Sequence, residues 1–128
     1  MKIIFTGFAN TPQYIDPNEW LQRIRPFTGI LEALSHSHEV IGIERIGIED
    51  EKVFNSVKYY LFKTTGTKDS FPIRQIRLIR KLDPDVVFIN GFNFPFQIMQ
   101  LKLELRKKVR IFILHQAECL IHQSALCF

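Results

Sequence analysis

The run Asp85-Val86-Val87-Phe88-Ile89-Asn90-Gly91 constrains this chain more than any other segment. Val86 to Ile89 are uninterruptedly apolar, and they stand between a helix stop, Asp83-Pro84, and a turn, Asn90-Gly91. A strand with one wet face alternates apolar and polar residues, whereas an unbroken apolar run suits a strand covered on both faces. Covered strands of that kind belong to parallel sheets flanked by helices, so the rest of the chain should supply both.

It does. Lys2-Ile3-Ile4-Phe5-Thr6-Gly7 is a short apolar run ending at a glycine, and the turn formers between Phe8 and Asn18 read as a long loop. Trp20, Leu21, Ile24, Phe27, Leu31 and Leu34 then recur at spacings of three and four, the pattern of an amphipathic helix. Pro26 cannot donate to the preceding turn, so a break is expected near Arg25. His38 to Ile48 carries Val40, Ile41, Ile43 and Ile46 and reads as a second strand; Val57 to Phe62 reads as a third.

Pro72 opens a helix with Ile73, Ile76, Ile79 and Leu82 on one face and Arg74, Arg77 and Lys81 on another. Asn93 is the expected N-cap of a further helix, with Pro95 in its first turn and Phe94, Ile98, Leu101 and Leu105 as its apolar stripe. Val109-Arg110-Ile111-Phe112-Ile113-Leu114-His115 reads as the last strand. Strands alternating with helices imply right-handed βαβ units. The expected fold is therefore α/β: a Rossmann-like parallel sheet with helices on both faces, its first strand central and its strands ordered 3-2-1-4-5.

The chain has 128 residues, of which 46% are hydrophobic and 23% charged, which suits one core without staples. Cys119 and Cys127 both lie near the end of the chain, and neither has a second thiol at metal or redox spacing. With an N-terminal apolar run too short for a signal peptide or a membrane span, a cytoplasmic location is expected. The net charge of +4 suits nucleic acid, anionic lipid head groups or phosphorylated substrates without choosing among them.

Ligands of open parallel sheets bind outside the carboxyl ends of the strands, which directs attention to Gly7, Asn90, Gly91 and His115. Gly7 either lets a phosphate or sugar approach the backbone or simply ends its strand, and Asn90-Gly91 is open to the same two readings. His115, at a strand exit, is either a hydrogen-bonding or proton-transferring group or a satisfied, half-buried histidine. His115, Cys119 and His122 have helix-compatible spacing, but only three candidates, the first of them at a strand end, make a poor metal site, and no metal is expected. The Arg74, Arg77 and Lys81 face is read as a solvated helix surface.

Three common chemistries lack their motifs. Gly-x-Gly-x-x-Gly does not follow the first strand, Gly-x-x-x-x-Gly-Lys-Ser/Thr is absent, and so is the Gly-x-Ser-x-Gly elbow of α/β-hydrolases. A flavodoxin-like or receiver-like domain would need flavin contacts or an acidic cluster after the first strand, and Gly7 to Gln13 contains no carboxylate.

Several joins resemble those of the GT-B glycosyltransferases, in particular retaining, family-4-like members. They are Ile30-Leu31-Glu32-Ala33-Leu34-Ser35 leading into His38-Glu39-Val40-Ile41, then Lys81-Leu82-Asp83-Pro84-Asp85-Val86-Val87-Phe88, and finally Ile111-Phe112-Ile113-Leu114-His115-Gln116-Ala117-Glu118. The similarity runs from Met1 to about Glu118. The family's Gly-Gly pair near the first strand is not present, since only Gly7 precedes Phe8.

The resemblance implies that residues 1–118 form the N-terminal, acceptor-side domain, with His115 catalytic and Gly7, Asn90, Gly91 and Glu118 binding substrate. It implies no cofactor in this chain, because the nucleotide-sugar donor binds a second Rossmann-like domain that these residues do not include. Activity by this chain alone is not expected. The implied partners are a sugar or lipid acceptor and the missing donor domain, with peripheral membrane contact an option and no nucleic acid. Residues 119–128 leave the pattern, reading as a truncated or interrupted frame whose apolar residues promote self-association. The alternative is a stand-alone Rossmann-like interaction module that meets a protein partner through the sheet edge or the tail.

Overall fold

Six strands form one sheet in the computed structural model, which describes residues 1–9, 11–64, 72–91, 94–106 and 108–114. In chain order the elements are β1 (Lys2–Thr6), α1 (Pro17–Arg23), α2 (Arg25–Leu34), β2 (Glu39–Ile46), β3 (Asp50–Phe54), β4 (Val57–Lys63), α3 (Ile73–Leu82), β5 (Val86–Asn90), α4 (Pro95–Glu104) and β6 (Arg110–Leu114). The sheet order is β3-β4-β2-β1-β5-β6. Every pairing is parallel except that of β3 with β4. The five strands expected from the sequence thus occur in the expected order, and the fold is α/β with a Rossmann-like sheet.

The antiparallel edge corrects the all-parallel expectation. Asn55 and Ser56, with φ of 48° and 69°, make a two-residue turn with two left-handed positions, the geometry that matches strand twist in a tight hairpin. The turn folds Asp50-Glu51-Lys52-Val53-Phe54 back onto β4 as a mostly exposed strand. A charged, solvent-facing edge strand has no apolar run to announce it, and its charges discourage further pairing.

The helices begin and end where local chemistry requires. Asp16 caps α1, its side chain accepting from the Asn18 N–H at 3.0 Å, with Pro17 in the first turn. Ile24 closes α1 and opens α2, so the break falls beside Arg25 and Pro26 sits in the first turn of the new helix. Asp83 ends α3 in the left-handed region at φ 49°, immediately before Pro84, which disfavours helical backbone in the residue it follows. Lys2 reinforces this end by donating from Nζ to the Leu82 carbonyl at 2.8 Å, a cation at a helix C-terminus. For α4 the N-cap is Phe94 rather than Asn93, with no side-chain hydrogen bond to the cap; Asn93 itself lies outside the described residues.

Alternating residues of the central strands feed two apolar layers. Ile3, Phe5, Val40, Ile46, Tyr59 and Leu61 meet Trp20 and Leu21 of α1 and Leu31 of α2 on one face. Ile4, Ile41, Ile43, Val87 and Ile89 meet Ile76 and Ile79 of α3 and Leu101 of α4 on the other. Helices therefore cover both faces. Phe5, Phe88 and Phe112, in register on β1, β5 and β6, stack at 4.7 and 5.3 Å between ring centres. Phe27 of α2 covers the β1 end edge-on at 6.5 Å, whereas Phe112 at the sheet edge remains 47% exposed.

Candidate functional site

Chain order places a topological switch point between β1 and β5: from β1 the strands run outward through β2 to β4, and from β5 they run outward the other way to β6. The carboxyl ends of strands at such a point leave a crevice, because their following loops depart to opposite faces. Here the crevice is a largely enclosed cavity of about 110 Å³, lined by Gly7, Ala9 and Thr11 after β1, Trp20 and Ile24 from α1, Phe27 from α2, Glu44 of β2 and Asn90 of β5.

Its wall is held by the loop after β1, which folds back on the end of β2. Thr11 pairs with Ile46, and its hydroxyl donates to the Arg45 carbonyl at 2.7 Å. The Gly47 N–H donates to the Tyr14 carbonyl at 2.6 Å. Only glycine fits at position 47, since a methyl there would stand 2.2 Å from the Pro12 carbonyl oxygen.

Glu44 is the chemically distinctive lining residue. It interrupts the apolar residues of β2 on the face that carries Val40 and Ile46, while Ile41 and Ile43 point the other way. The carboxyl retains an opening through the cavity, but Trp20, Ile24 and Phe27 surround it with carbon. Among the described residues no hydrogen bond or ion pair reaches it. Burial without a compensating cation pushes its pKa to about 8, because removing water penalises the charged form. The adjacent Tyr59 on β4 is also raised, to about 12, mainly by its own burial and further by Glu32 and Glu44.

Of the residues singled out in the sequence, Gly7 and Asn90 are brought together in this cavity. A methyl built on Gly7 would make only ordinary contacts with Asn90, 3.6 Å from its carbonyl oxygen and 3.7 Å from Cβ. Glycine at position 7 is therefore not demanded by packing. Gly91 is different: its φ of +97° favours glycine, its N–H donates to the Leu114 carbonyl at 2.7 Å, and it does not line the cavity. It shapes the turn that ties the ends of β5 and β6 together. His115 and Glu118 lie outside the described residues, as do Cys119, His122, Cys127 and the segment 119–128.

Glu44 escaped the sequence reading because a carboxylate in a strand is usually on a wet face. The signal for it was the Glu44-Arg45 pair inside an otherwise apolar run, which puts one charge on each covered face. Arg45 is itself buried, donates to the Phe8 carbonyl at 3.3 Å, and lines a separate cavity with Phe62, Lys63 and Pro72 to Gln75. There Gln75, 2% exposed, fastens α3 to the exit of β1 by donating to Thr6 Oγ1 at 2.5 Å and to the Gly7 carbonyl at 2.9 Å.

No group of His, Cys, Asp and Glu among the described residues is arranged to hold a metal ion, and no helix among them is long and apolar enough to cross a membrane. The basic side chains of α3 are partly paired: Arg74 with Glu49, and Arg80 with Glu104 at 3.2 Å. No family model, curated protein or solved structure matches the chain.

Proposed function

We propose that this chain is the acceptor-side domain of a nucleotide-sugar-dependent glycosyltransferase of the GT-B kind. The observation that carries the reading is the cavity at the switch point, where Gly7, Glu44 and Asn90 converge. Its size supports reception of part of a small molecule such as a sugar ring edge, being well below that of a pocket which encloses a whole cofactor. Its described lining residues offer no glycine-rich phosphate cradle and no cation, which fits an uncharged acceptor better than a nucleotide. The donor and its diphosphate are assigned to a further domain. His115 and Glu118 retain the catalytic and substrate-binding roles implied by the sequence resemblance.

The test is to incubate the 128-residue chain with methyl glycopyranosides and, separately, with UDP-glucose and GDP-mannose. The reading predicts saturable binding of at least one glycoside, no binding of the nucleotide sugars, and no sugar transfer when both are supplied. Transfer by these residues alone, or nucleotide-sugar binding in the cavity, contradicts it.

A second reading, a protein-interaction module, is favoured by one feature. The outer face of α4 presents Phe96, Met99 and Leu103 at 75, 62 and 82% exposure, a stripe at helical spacing with no cover among the described residues. That reading predicts no glycoside binding and association that is lost when the stripe is made polar.

A further inference from the structure

We infer that the Glu44 carboxyl is the recognition group of the switch-point cavity and that it hydrogen-bonds an uncharged hydroxyl of the acceptor. The inference rests on the acceptor-domain reading and adds to it the residue and the ligand chemistry.

The geometry supplies the argument. Ile24, Phe27 and Ala9 present carbon to the cavity, so among the described lining residues the side chains with polar atoms are Glu44, Asn90, Thr11 and Trp20, whose indole N–H is buried without a hydrogen-bond partner. The Thr11 hydroxyl proton is already given to the Arg45 carbonyl. The charged and titratable groups around Glu44, among the described residues, leave it without a counterion. Arg45, the next residue, projects to the opposite face of the sheet toward the Phe8 carbonyl. Arg25 of α2 is held by Glu32 through two hydrogen bonds of 2.7 and 3.1 Å. From β4 the facing titratable group is Tyr59, whose phenol is neutral; α1 contributes Trp20, while β1 and β5 contribute Gly7 and Asn90, none of which titrates.

A carboxylate in such surroundings has only restricted access to water and no cation among the described residues to compensate it, so the neutral acid predominates at pH 7. The neutral acid has one O–H donor and acceptor lone pairs, which match an alcohol's oxygen and proton. An anionic ligand would find no cation among the described lining residues. An ammonium ligand would require Glu44 to ionise in a carbon-lined cavity, which opposes its binding. A sugar hydroxyl needs neither change, and the rings of Trp20 and Phe27 offer apolar surface to the carbon face beside it.

The experiment compares the wild type with Glu44→Gln and Glu44→Leu. Binding of methyl glucoside, galactoside and mannoside at pH 7 is read from the fluorescence of Trp20, the one tryptophan of the chain, and from amide chemical shifts. Glutamine reproduces the shape and the donor and acceptor groups of the neutral acid, so Glu44→Gln should bind within about threefold of the wild type. Glu44→Leu fills the place with carbon and should bind at least about tenfold more weakly, the loss expected when a buried hydroxyl goes unpaired. Thermal melts of both variants verify folding. Undiminished binding by Glu44→Leu overturns the inference and leaves the acceptor reading standing. Loss in Glu44→Gln equal to that in Glu44→Leu also overturns it, by showing that an ionised group is needed. No binding of any glycoside by the wild type removes the acceptor reading and the inference together.

Discussion

Gly42 of β2 lies against the ring of Tyr59 on β4, so closely that a methyl on Gly42 would stand 2.6 Å from Tyr59 Cδ1 and 2.8 Å from Cε1. The two residues are paired in register on neighbouring parallel strands. The glycine lets the ring lie flat over the sheet, where Tyr59 is fully buried between β4 and the helices. Gly42→Ala must push the ring aside, and we expect it to cost about 1–3 kcal/mol, as overpacking of a filled core does. Urea denaturation measures this directly. Because the Tyr59 hydroxyl is buried with no hydrogen-bond partner, Tyr59→Phe should be neutral or slightly stabilising in the same measurement.

Gly47→Ala should be the more damaging glycine substitution. Its methyl meets the Pro12 and Tyr14 carbonyl oxygens at 2.2 and 2.9 Å, and these are backbone atoms that cannot rotate away as a ring can. Relief requires moving the loop that walls the cavity and lengthening the Gly47 to Tyr14 hydrogen bond. A loss of about 3 kcal/mol or more is expected, in the upper range for a single substitution. Amide exchange should quicken at Gly47, whose N–H makes that bond, and glycoside binding should weaken with it.

Glu44 makes stability depend on pH in a defined direction. Its carboxyl titrates near the ordinary value of 4.5 when unfolded and at about 8 when folded, so the unfolded chain releases the proton first. The stability associated with the neutral acid is fully present below pH 4.5 and is lost as pH rises through about 8. Glu44→Gln cannot ionise and escapes this loss. The variant should match the wild type near pH 4 and exceed it at pH 8 by an amount on the order of 1–3 kcal/mol, the residual access to solvent keeping the gap modest. Denaturation curves of the two proteins at pH 4, 6 and 8 test this; a constant gap across the range would contradict it.

The outer stripe of α4 predicts behaviour in solution. Phe96, Met99 and Leu103 contribute little to the core because Ile98, Leu101 and Leu105 fill the inner side of the same helix turns. Leu103→Lys with Met99→Lys should leave unfolding free energy within about 0.5 kcal/mol per site. If the stripe is sticky, sedimentation velocity should show less self-association in the variant than in the wild type.

The central sheet was legible because its cause is local and repeated: Val86 to Ile89, Ile3 to Phe5 and Val40 to Ile43 are apolar on both faces, and Pro26 and Pro84 punctuate the helices between them. The order of the strands was expected from the doubly wound arrangement of open parallel sheets. The strand Asp50–Phe54 was not legible, because it is held by pairing and by a tight turn rather than by burial of its own side chains. Gly7 and Asn90, which line the cavity, were singled out from their positions at strand ends. Glu44 was not, since its importance comes from the ring of Trp20, Ile24 and Phe27 around it, and that assembly joins residues up to 24 positions apart in the chain.

The most direct test of the account is amide chemical-shift mapping of the labelled chain titrated with methyl glycopyranosides at pH 7. The account predicts saturable shifts concentrated on Gly7, Ala9, Thr11, Glu44 and Asn90, with the Trp20 indole N–H moving in step and the amides of Arg74, Arg77 and Lys81 unchanged. Shifts confined to the basic surface of α3, or none at any glycoside concentration, would contradict the claim that the switch-point cavity is where this protein receives its ligand.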